Sequence, residues 1–272
     1  MNDIKCPICG AKSRNIFQGI ILAKYKAEYY QCAECGLIFI DSPSWIEEAY
    51  NSPITIFDTG IINRNVTMSQ NVTMLLKIFY GKKEVKCLDF GGGYGVFARM
   101  MRDQGYPFFW YDKFSDCLLA RGFEGDIHQK YDCLTAFEVF EHLTEPEADI
   151  ETMLEIADTV IFSTQLYDKK LRYPTLEKWW YYLPEAGQHV SFYSQLTMET
   201  IANKYHVNYY MINNDLHVFS KYDFSSKIKK CKYMINTKVG HLYRSILWEL
   251  KRNKGYADID MDQLLKKGKA NE

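Results

Sequence analysis

Apolar and polar positions follow strand and helix periods in the middle of the chain, around a glycine-rich turn. A short apolar run ends at Asp89, and glycine follows at alternate positions, Gly91, Gly93 and Gly95. The apolar residues of 96–101 then recur with helical spacing. This pattern predicts a strand, a tight turn and a helix. Because glycine allows sharp turns and lets a ligand approach the backbone, the turn is predicted to hold a cofactor.

Strands and helices are predicted to alternate along the rest of the chain. The same patterns predict helices at 67–80, 146–157 and 196–205, and strands at 107–112, 131–137, 159–164, 209–212 and 216–220. This alternation indicates an α/β fold with a mostly parallel sheet. Ligands of such sheets bind beyond the carboxyl ends of the strands. We therefore expect the glycine turn, Asp112 and residues 137–142 to lie together.

Two Cys-x-x-Cys pairs, each followed by glycine, precede this region: Cys6 with Cys9, and Cys32 with Cys35. In a reducing compartment such pairs are metal ligands rather than disulfides. Two pairs complete a tetrahedral sulfur site for zinc, and four cysteines leave no position for a substrate. The spacing therefore predicts a small zinc ribbon with a structural zinc ion.

Four segments follow from these patterns. We predict a zinc ribbon over 1–42, a helical lead-in over 43–80, a cofactor-binding domain over 81–222 and a basic helical extension over 223–272.

Composition and charge limit the classes of function. The 272 residues are 47% hydrophobic and 25% charged with a net charge of −1, which is typical of a soluble globular protein and gives no sign of a nucleic-acid partner. No apolar run approaches the roughly 20 residues that span a bilayer, and the N-terminus lacks the apolar core of a signal peptide. We expect a cytoplasmic protein.

The C-terminal extension carries the basic excess. From Lys221 onward lie 13 of the 33 Lys and Arg residues but six of the 34 Asp and Glu residues. This charge is compatible with contact to a phosphorylated substrate or an anionic membrane surface. The alternative is a solvated helix that packs on the domain.

The turn, Asp112 and the segment 131–143 together resemble class I S-adenosylmethionine-dependent methyltransferases. The cysteine-rich front end and the segment 179–194 are similar to a bacterial subset of that family, which includes methyltransferases encoded with sugar and surface-polysaccharide genes. The resemblance implies a Rossmann-like sheet with helices on both faces and a terminal antiparallel hairpin. It also implies S-adenosylmethionine as the cofactor.

The resemblance assigns cofactor roles residue by residue. Asp89 and the three glycines would border the methionine part of the cofactor, and Asp112 would hold the ribose. Phe137 and Glu138 would line the floor of the site. The segment 113–130 is shorter than the family's usual helix and strand, so we expect a shortened helix over 116–121. The adenine contact then falls on Asp126.

Histidine suits the base that a hydroxyl or carbon acceptor would need, because its ordinary pKa lies near neutrality. His189 follows the aromatic loop 179–187, and His142 follows a predicted strand near Glu138 and Glu141. We predict His189 or His142 as the base, with Tyr193 beside the acceptor. Each histidine is also compatible with a hydrogen-bonded structural role. Tyr181 and Tyr182 are compatible with either an acceptor pocket or the core.

The sequence therefore predicts methyl transfer to a small molecule, a sugar or a nucleotide-linked sugar. Two alternatives stay open. One is a nicotinamide-dependent sugar oxidoreductase, against which the acid two residues before the first glycine argues. The other is a zinc-ribbon adaptor whose methyltransferase-like domain binds a ligand without turnover.

Overall fold

A computed structural model describes residues 4–51, 54–56, 58–168, 173–252 and 255–270. The strands are β1 (Ser13–Ile21), β2 (Tyr25–Cys32), β3 (Ile38–Ile40), β4 (Cys87–Phe90), β5 (Phe108–Tyr111), β6 (Tyr131–Ala136), β7 (Ala157–Ser163), β8 (Leu166–Tyr167), β9 (Ser191–Ser194), β10 (Asn208–Met211) and β11 (Leu216–Ser220). The helices are α1 (Ile46–Ala49), α2 (Ile61–Tyr80), α3 (Val96–Asp103), α4 (Pro146–Ile156), α5 (Gln195–Lys204), α6 (Ser225–Asn236), α7 (Lys238–Arg252) and α8 (Ala257–Ala270).

The chain forms two compact units. The first comprises residues 1–57, 136–155 and 159–222, and the second comprises 58–135, 156–158 and 223–272.

In the first unit, the strands of the predicted ribbon belong to a five-stranded sheet with the order β1-β2-β3-β9-β8. β3 pairs antiparallel with β9, with Ile38 opposite Phe192. The aromatic side chains of Tyr29, Tyr182 and Phe192 are fully buried together in its core. The front end therefore shares a sheet and a core with a strand from late in the chain.

The first unit also contains the predicted terminal hairpin. β10 and β11 pair antiparallel from Asn208 opposite Ser220, and β11 pairs antiparallel with β7. The Asn213 side-chain oxygen accepts hydrogen bonds from the backbone N–H groups of Asp215 and Leu216, which fixes the turn.

In the second unit, β4 lies between β5 and β6, and both pairs are parallel. Cys87 stands opposite Phe108 on one side and Cys133 on the other. The α/β class with parallel strands around the glycine turn and a terminal hairpin is thus confirmed. α2 begins earlier than predicted, at Ile61.

The predicted helix over 116–121 is wrong, because this segment contains only bends and turns. Its backbone is held from outside instead. The N–H groups of Leu118 and Leu119 both donate to the carbonyl oxygen of Tyr94, at 3.1 and 3.0 Å. These bonds fasten the segment onto the glycine turn.

The C-terminal extension contains the helices α6, α7 and α8. α8 packs on its own unit through Asp260, which is 2% exposed. The Asp260 carboxylate accepts hydrogen bonds from Nε and Nη2 of Arg102 at 2.7 and 2.5 Å. Among the described residues, no helix combines the length and apolarity needed to cross a membrane.

Candidate cofactor and zinc sites

The glycine turn between β4 and α3 is shaped by backbone angles and contacts that exclude side chains. Gly91, Gly93 and Gly95 have φ angles of +69°, +53° and +84°. A Cβ on Gly92 would lie 2.6 Å from Asp89 Oδ2 and 2.7 Å from Trp110 Cδ1, so only glycine fits there. A Cβ on Gly93 would meet no atom within 4 Å. The turn is therefore closely packed at its base and open at Gly93.

Asp112 follows β5 and clasps this turn. Its Oδ2 accepts the backbone N–H of Gly93 at 2.8 Å, while Oδ1 accepts those of Phe114 and Ser115 at 2.7 and 2.8 Å. The Trp110 indole N–H also donates to the Gly93 carbonyl oxygen, at 2.9 Å. The strand end and the glycine turn are thus held together, as the sequence predicted. The ribose role of Asp112 stays a prediction.

Asp89 is buried beneath the turn. Its Oδ1 accepts a hydrogen bond from Thr135 Oγ1 at 2.8 Å, and its Oδ2 has no hydrogen-bond partner. Burial raises the pKa of Asp89 to about 7, the Thr135 hydrogen bond opposes this rise, and the Asp112 carboxylate adds to it. An unpaired buried oxygen near an open backbone suits a ligand with cationic groups, such as the ammonium and sulfonium of S-adenosylmethionine.

The four predicted zinc ligands come together in the first unit, with all four sulfur atoms within 4.8 Å of one another. Sγ of Cys6 lies 3.6 Å from that of Cys35, and Sγ of Cys9 lies 3.4 Å from that of Cys32. Sulfur atoms in a tetrahedral zinc site with bonds of about 2.3 Å are about 3.8 Å apart. The donor set therefore fits zinc.

Local backbone geometry orients these sulfurs. The backbone N–H of Ile8 donates to Cys6 Sγ and that of Cys35 to Cys32 Sγ, each at 3.4 Å. A hydrogen bond from Cys35 lowers the pKa of Cys6 to about 5, and the same contact raises the pKa of Cys35. The carbonyl oxygen of Cys35 accepts a hydrogen bond from Oγ1 of Thr197 at 2.9 Å, which anchors this Cys-x-x-Cys turn to α5.

The two candidate bases also meet in the first unit. The segment 190–193 lies along 140–143 through three hydrogen bonds: Val190 N to Glu141 O, Ser191 Oγ to Leu143 O and Tyr193 Oη to Phe140 O, at 2.8, 2.7 and 2.9 Å. This arrangement sets the ring centroids of His142 and His189 4.9 Å apart.

Hydrogen bonds define which nitrogen of each histidine is available. Nδ1 of His189 lies 2.6 Å from the carbonyl oxygen of Tyr181, so Nδ1 carries the ring proton and donates it to this oxygen. Nε2 is therefore unprotonated and has a lone pair. Nδ1 of His142 lies 2.8 Å from the Tyr50 hydroxyl. Burial lowers the pKa of His189 to about 4, and burial together with the neighbouring His189 lowers the pKa of His142 well below its usual range. Both imidazoles are therefore neutral near pH 7.

Three other predicted site residues, Phe137, Glu138 and Tyr193, lie in the first unit. Phe137 and Glu138 follow directly after β6, and both are half-buried. Glu138 has a φ of +53°, a conformation that is uncommon for non-glycine residues. Ser163 holds it there by accepting its backbone N–H at 2.8 Å and donating to its Oε1 at 2.7 Å. Tyr193 is fully buried.

Sequence reasoning noted Glu141 only as a neighbour of His142. The structure shows it 0% exposed, and it lies with His142 and His189 in a group whose ligand atoms are within 4.8 Å of one another. Its position one residue before His142 is the sequence feature that could have identified it. No sequence feature indicates Tyr50, because its hydrogen bond to His142 joins residues far apart in the chain.

Comparisons with known proteins give distant structural similarities and one family match. Among curated proteins, no sequence matches the chain. Magnesium protoporphyrin IX methyltransferase from Synechocystis PCC 6803, solved with S-adenosylhomocysteine, is 15% identical over 64% of this chain and 90% of its own, with a TM-score of 0.40. Human N-acetylserotonin methyltransferase with S-adenosylmethionine is 14% identical over 58% and 52%, with a TM-score of 0.39.

An O-methyltransferase family 2 protein from Planctomyces limnophilus, in complex with apigenin, is 14% identical over 64% of this chain and 66% of its own, with a TM-score of 0.41. The family model for a methyltransferase domain matches residues 62–209, which is more than half of the chain. The match includes β4, the glycine turn and Asp112. The chain therefore belongs to this methyltransferase-domain family and is a methyltransferase.

Proposed function

We propose that this protein transfers a methyl group from S-adenosylmethionine to a small-molecule acceptor, a sugar or a nucleotide-linked sugar. The observation that carries the cofactor assignment is the glycine turn, open at Gly93 and clasped by Asp112. When bound, S-adenosylmethionine supplies an electrophilic methyl group. The Gly93 backbone and the Asp89 carboxylate would hold its methionine part, and Asp112 would orient its ribose. The resemblance also gives Phe137 and Glu138 a cofactor-lining role, which stays a proposal.

A zinc ion held by Cys6, Cys9, Cys32 and Cys35 is proposed to be structural. β3 of the ribbon pairs with β9, and the Cys35 carbonyl oxygen accepts a hydrogen bond from Thr197 of α5. Zinc at this position would therefore support the fold around His189, with no direct part in the chemistry.

The sugar-like acceptor is supported by the segment 179–194 and its resemblance to sugar-associated methyltransferases. Within it, Trp180 is 67% exposed, and an exposed indole offers a flat apolar face to the C–H groups of a sugar ring. The proton acceptor is proposed to be Nε2 of His189 or of His142. Because burial lowers the pKa of His189 to about 4, it would be a weak base on its own.

Calorimetric titration of the full chain with S-adenosylhomocysteine tests the cofactor assignment. Gly93→Ala would place a methyl group in the open space and is expected to weaken binding at least tenfold. Gly81→Ala is the matched control, because Gly81 also has a positive φ, +67°, and open space around its Cβ. Both changes strain the backbone, but only Gly93 borders the proposed cofactor.

Absence of binding by the folded wild-type protein would overturn the proposal, and so would equal effects of the two variants. A parallel titration with NAD separates the oxidoreductase alternative. Turnover assays with sugars and sugar nucleotides then test the acceptor class. Cofactor binding without methylation of any acceptor would favour the adaptor alternative.

A further inference from the structure

Glu141 is a buried carboxylate without the partners that burial normally requires. It is 0% exposed, and neither of its oxygens accepts a hydrogen bond of normal geometry within the described parts of the chain. The hydroxyl groups of Thr164 and Tyr181 approach it and lie 3.3 Å from each other, within hydrogen-bond distance. Leaving a buried carboxylate unpaired is costly unless a cation or proton joins it.

The histidines beside Glu141 are arranged as ligands. Nδ1 of His189 is committed to the Tyr181 carbonyl oxygen, and Nδ1 of His142 lies against the Tyr50 hydroxyl. With the Tyr50 hydroxyl accepting the Nδ1–H of His142, each Nε2 is the nitrogen left to bind. Metal-binding histidines commonly donate their other N–H to a carbonyl or another oxygen in this way, which fixes the tautomer and the ring orientation.

The distances allow one ion to reach all three side chains. One ligand atom from each of Glu141, His142 and His189 lies within 4.8 Å of the others. Ligand atoms about 2.1 Å from a metal in tetrahedral geometry are about 3.4 Å apart. Small side-chain rotations would bring the three atoms to this spacing.

We infer that Glu141, His142 and His189 bind a divalent first-row transition metal ion, at a site separate from the four cysteines. Two imidazoles and one carboxylate favour Mn²⁺, Fe²⁺, Co²⁺ or Zn²⁺ over Mg²⁺ or Ca²⁺, which prefer all-oxygen ligands. Three protein ligands leave coordination positions open, unlike the closed cysteine site.

The open positions give this site a chemical use, which rests on the proposed function. A hydroxyl group bound to the metal would lose its proton to solvent water more easily, so an oxygen acceptor would be activated without a strong protein base. With the metal bound, Nε2 of His142 and Nε2 of His189 are ligands, and this route replaces the proposed histidine base. The metal inference itself does not depend on methyl transfer.

Cobalt titration of the full chain, with zinc already held by the four cysteines, tests the site. Wild-type protein is expected to bind one further equivalent of Co²⁺, with weak d–d absorption and no sulfur-to-cobalt charge-transfer band. Glu141→Gln and His189→Gln are expected to weaken this binding at least 100-fold. Tyr50→Phe removes the hydroxyl beside His142 and should weaken it about 10-fold or more.

Glu145→Gln and His128→Gln are matched controls, because both residues are exposed and lie outside the cluster. They should bind Co²⁺ as the wild type does. Retention of one zinc per chain and an unchanged circular dichroism spectrum show that a variant is folded. If one ligand variant does not fold, the other decides.

The inference is overturned if wild-type protein binds no metal beyond the cysteine site, or if the second cobalt shows a sulfur charge-transfer band. It is also overturned if folded Glu141→Gln and His189→Gln bind as the wild type does. The cobalt absorption spectrum of the wild-type protein tests the inference even if no variant folds. Because the probe is Co²⁺ alone, failure here is distinct from failure to bind S-adenosylhomocysteine.

Discussion

Replacing Asp112 by asparagine tests whether the hydrogen bonds that join Asp112 to the glycine turn control cofactor affinity. The carboxylate accepts three backbone N–H groups, two on Oδ1 and one, from Gly93, on Oδ2. The asparagine oxygen can keep the pair at Phe114 and Ser115. Its NH₂ group then faces the Gly93 N–H, so two donors meet and one charge-assisted hydrogen bond is lost.

The magnitude follows from that one bond. A hydrogen bond to a charged group contributes about 1.5–3 kcal/mol, and the partial exposure of Gly93 favours the lower end. If the cofactor needs the turn in this form, 1.5 kcal/mol corresponds to about tenfold weaker binding of S-adenosylhomocysteine. The Trp110 indole still bonds the Gly93 carbonyl oxygen, so the variant is expected to fold.

Isothermal titration calorimetry on Asp112→Asn, the wild type and Asp116→Asn makes the comparison. Asp116 is an exposed acid in the same segment, so it controls for the lost negative charge. An affinity of folded Asp112→Asn within about twofold of the wild type would refute the reasoning. An equal loss of affinity in Asp116→Asn would show that net charge, and not the hydrogen bond from Gly93 to Asp112, is responsible.

Three further predictions concern stability. Cys35→Ser, or zinc removal by a chelator, should speed amide hydrogen exchange in β9 and the ribbon strands. Loss of the zinc site would loosen the Cys-x-x-Cys turn whose Cys35 carbonyl oxygen is bonded to α5, and β3 next to it pairs with β9. Asp260→Ala should lower the free energy of unfolding by about 3–5 kcal/mol in urea, because it leaves the Arg102 guanidinium buried without its carboxylate, whereas exposed Asp262→Ala should not. Burial raises the pKa of Asp89 to about 7, above the roughly 3.9 of an unfolded aspartate, so the folded state holds an extra proton between these values. The free energy of unfolding should therefore fall as pH rises through this window, and Asp89→Asn should flatten that fall in urea unfolding curves measured at several pH values.

Local sequence was sufficient for features whose residues are close in the chain. The glycine turn after Asp89 needs positive φ angles and close approach, and only glycine supplies both at adjacent positions. Each Cys-x-x-Cys pair likewise carries its own turn and N–H to sulfur bonds. The α/β class and the terminal hairpin followed from periodicity for the same reason.

Prediction failed where distant contacts decided the backbone. The resemblance to methyltransferases led us to expect a shortened helix over 116–121, but the Tyr94 carbonyl oxygen accepts the N–H groups of Leu118 and Leu119. The contact of Asp260 in α8 with Arg102 likewise joins residues far apart in the chain. No local pattern reports such partners.

The sequence by itself determined the glycine turn, the cysteine ligand set and the alternation of strands and helices, because each depends on neighbouring residues. Only the tertiary structure decided that Glu141, His142 and His189 converge, since hydrogen bonds between 140–143 and 190–193 bring them together. It also decided their chemistry. Burial and the bonds of each Nδ1 made two candidate bases into weakly basic neutral imidazoles beside an unpaired carboxylate, and residue type alone carries no information on burial.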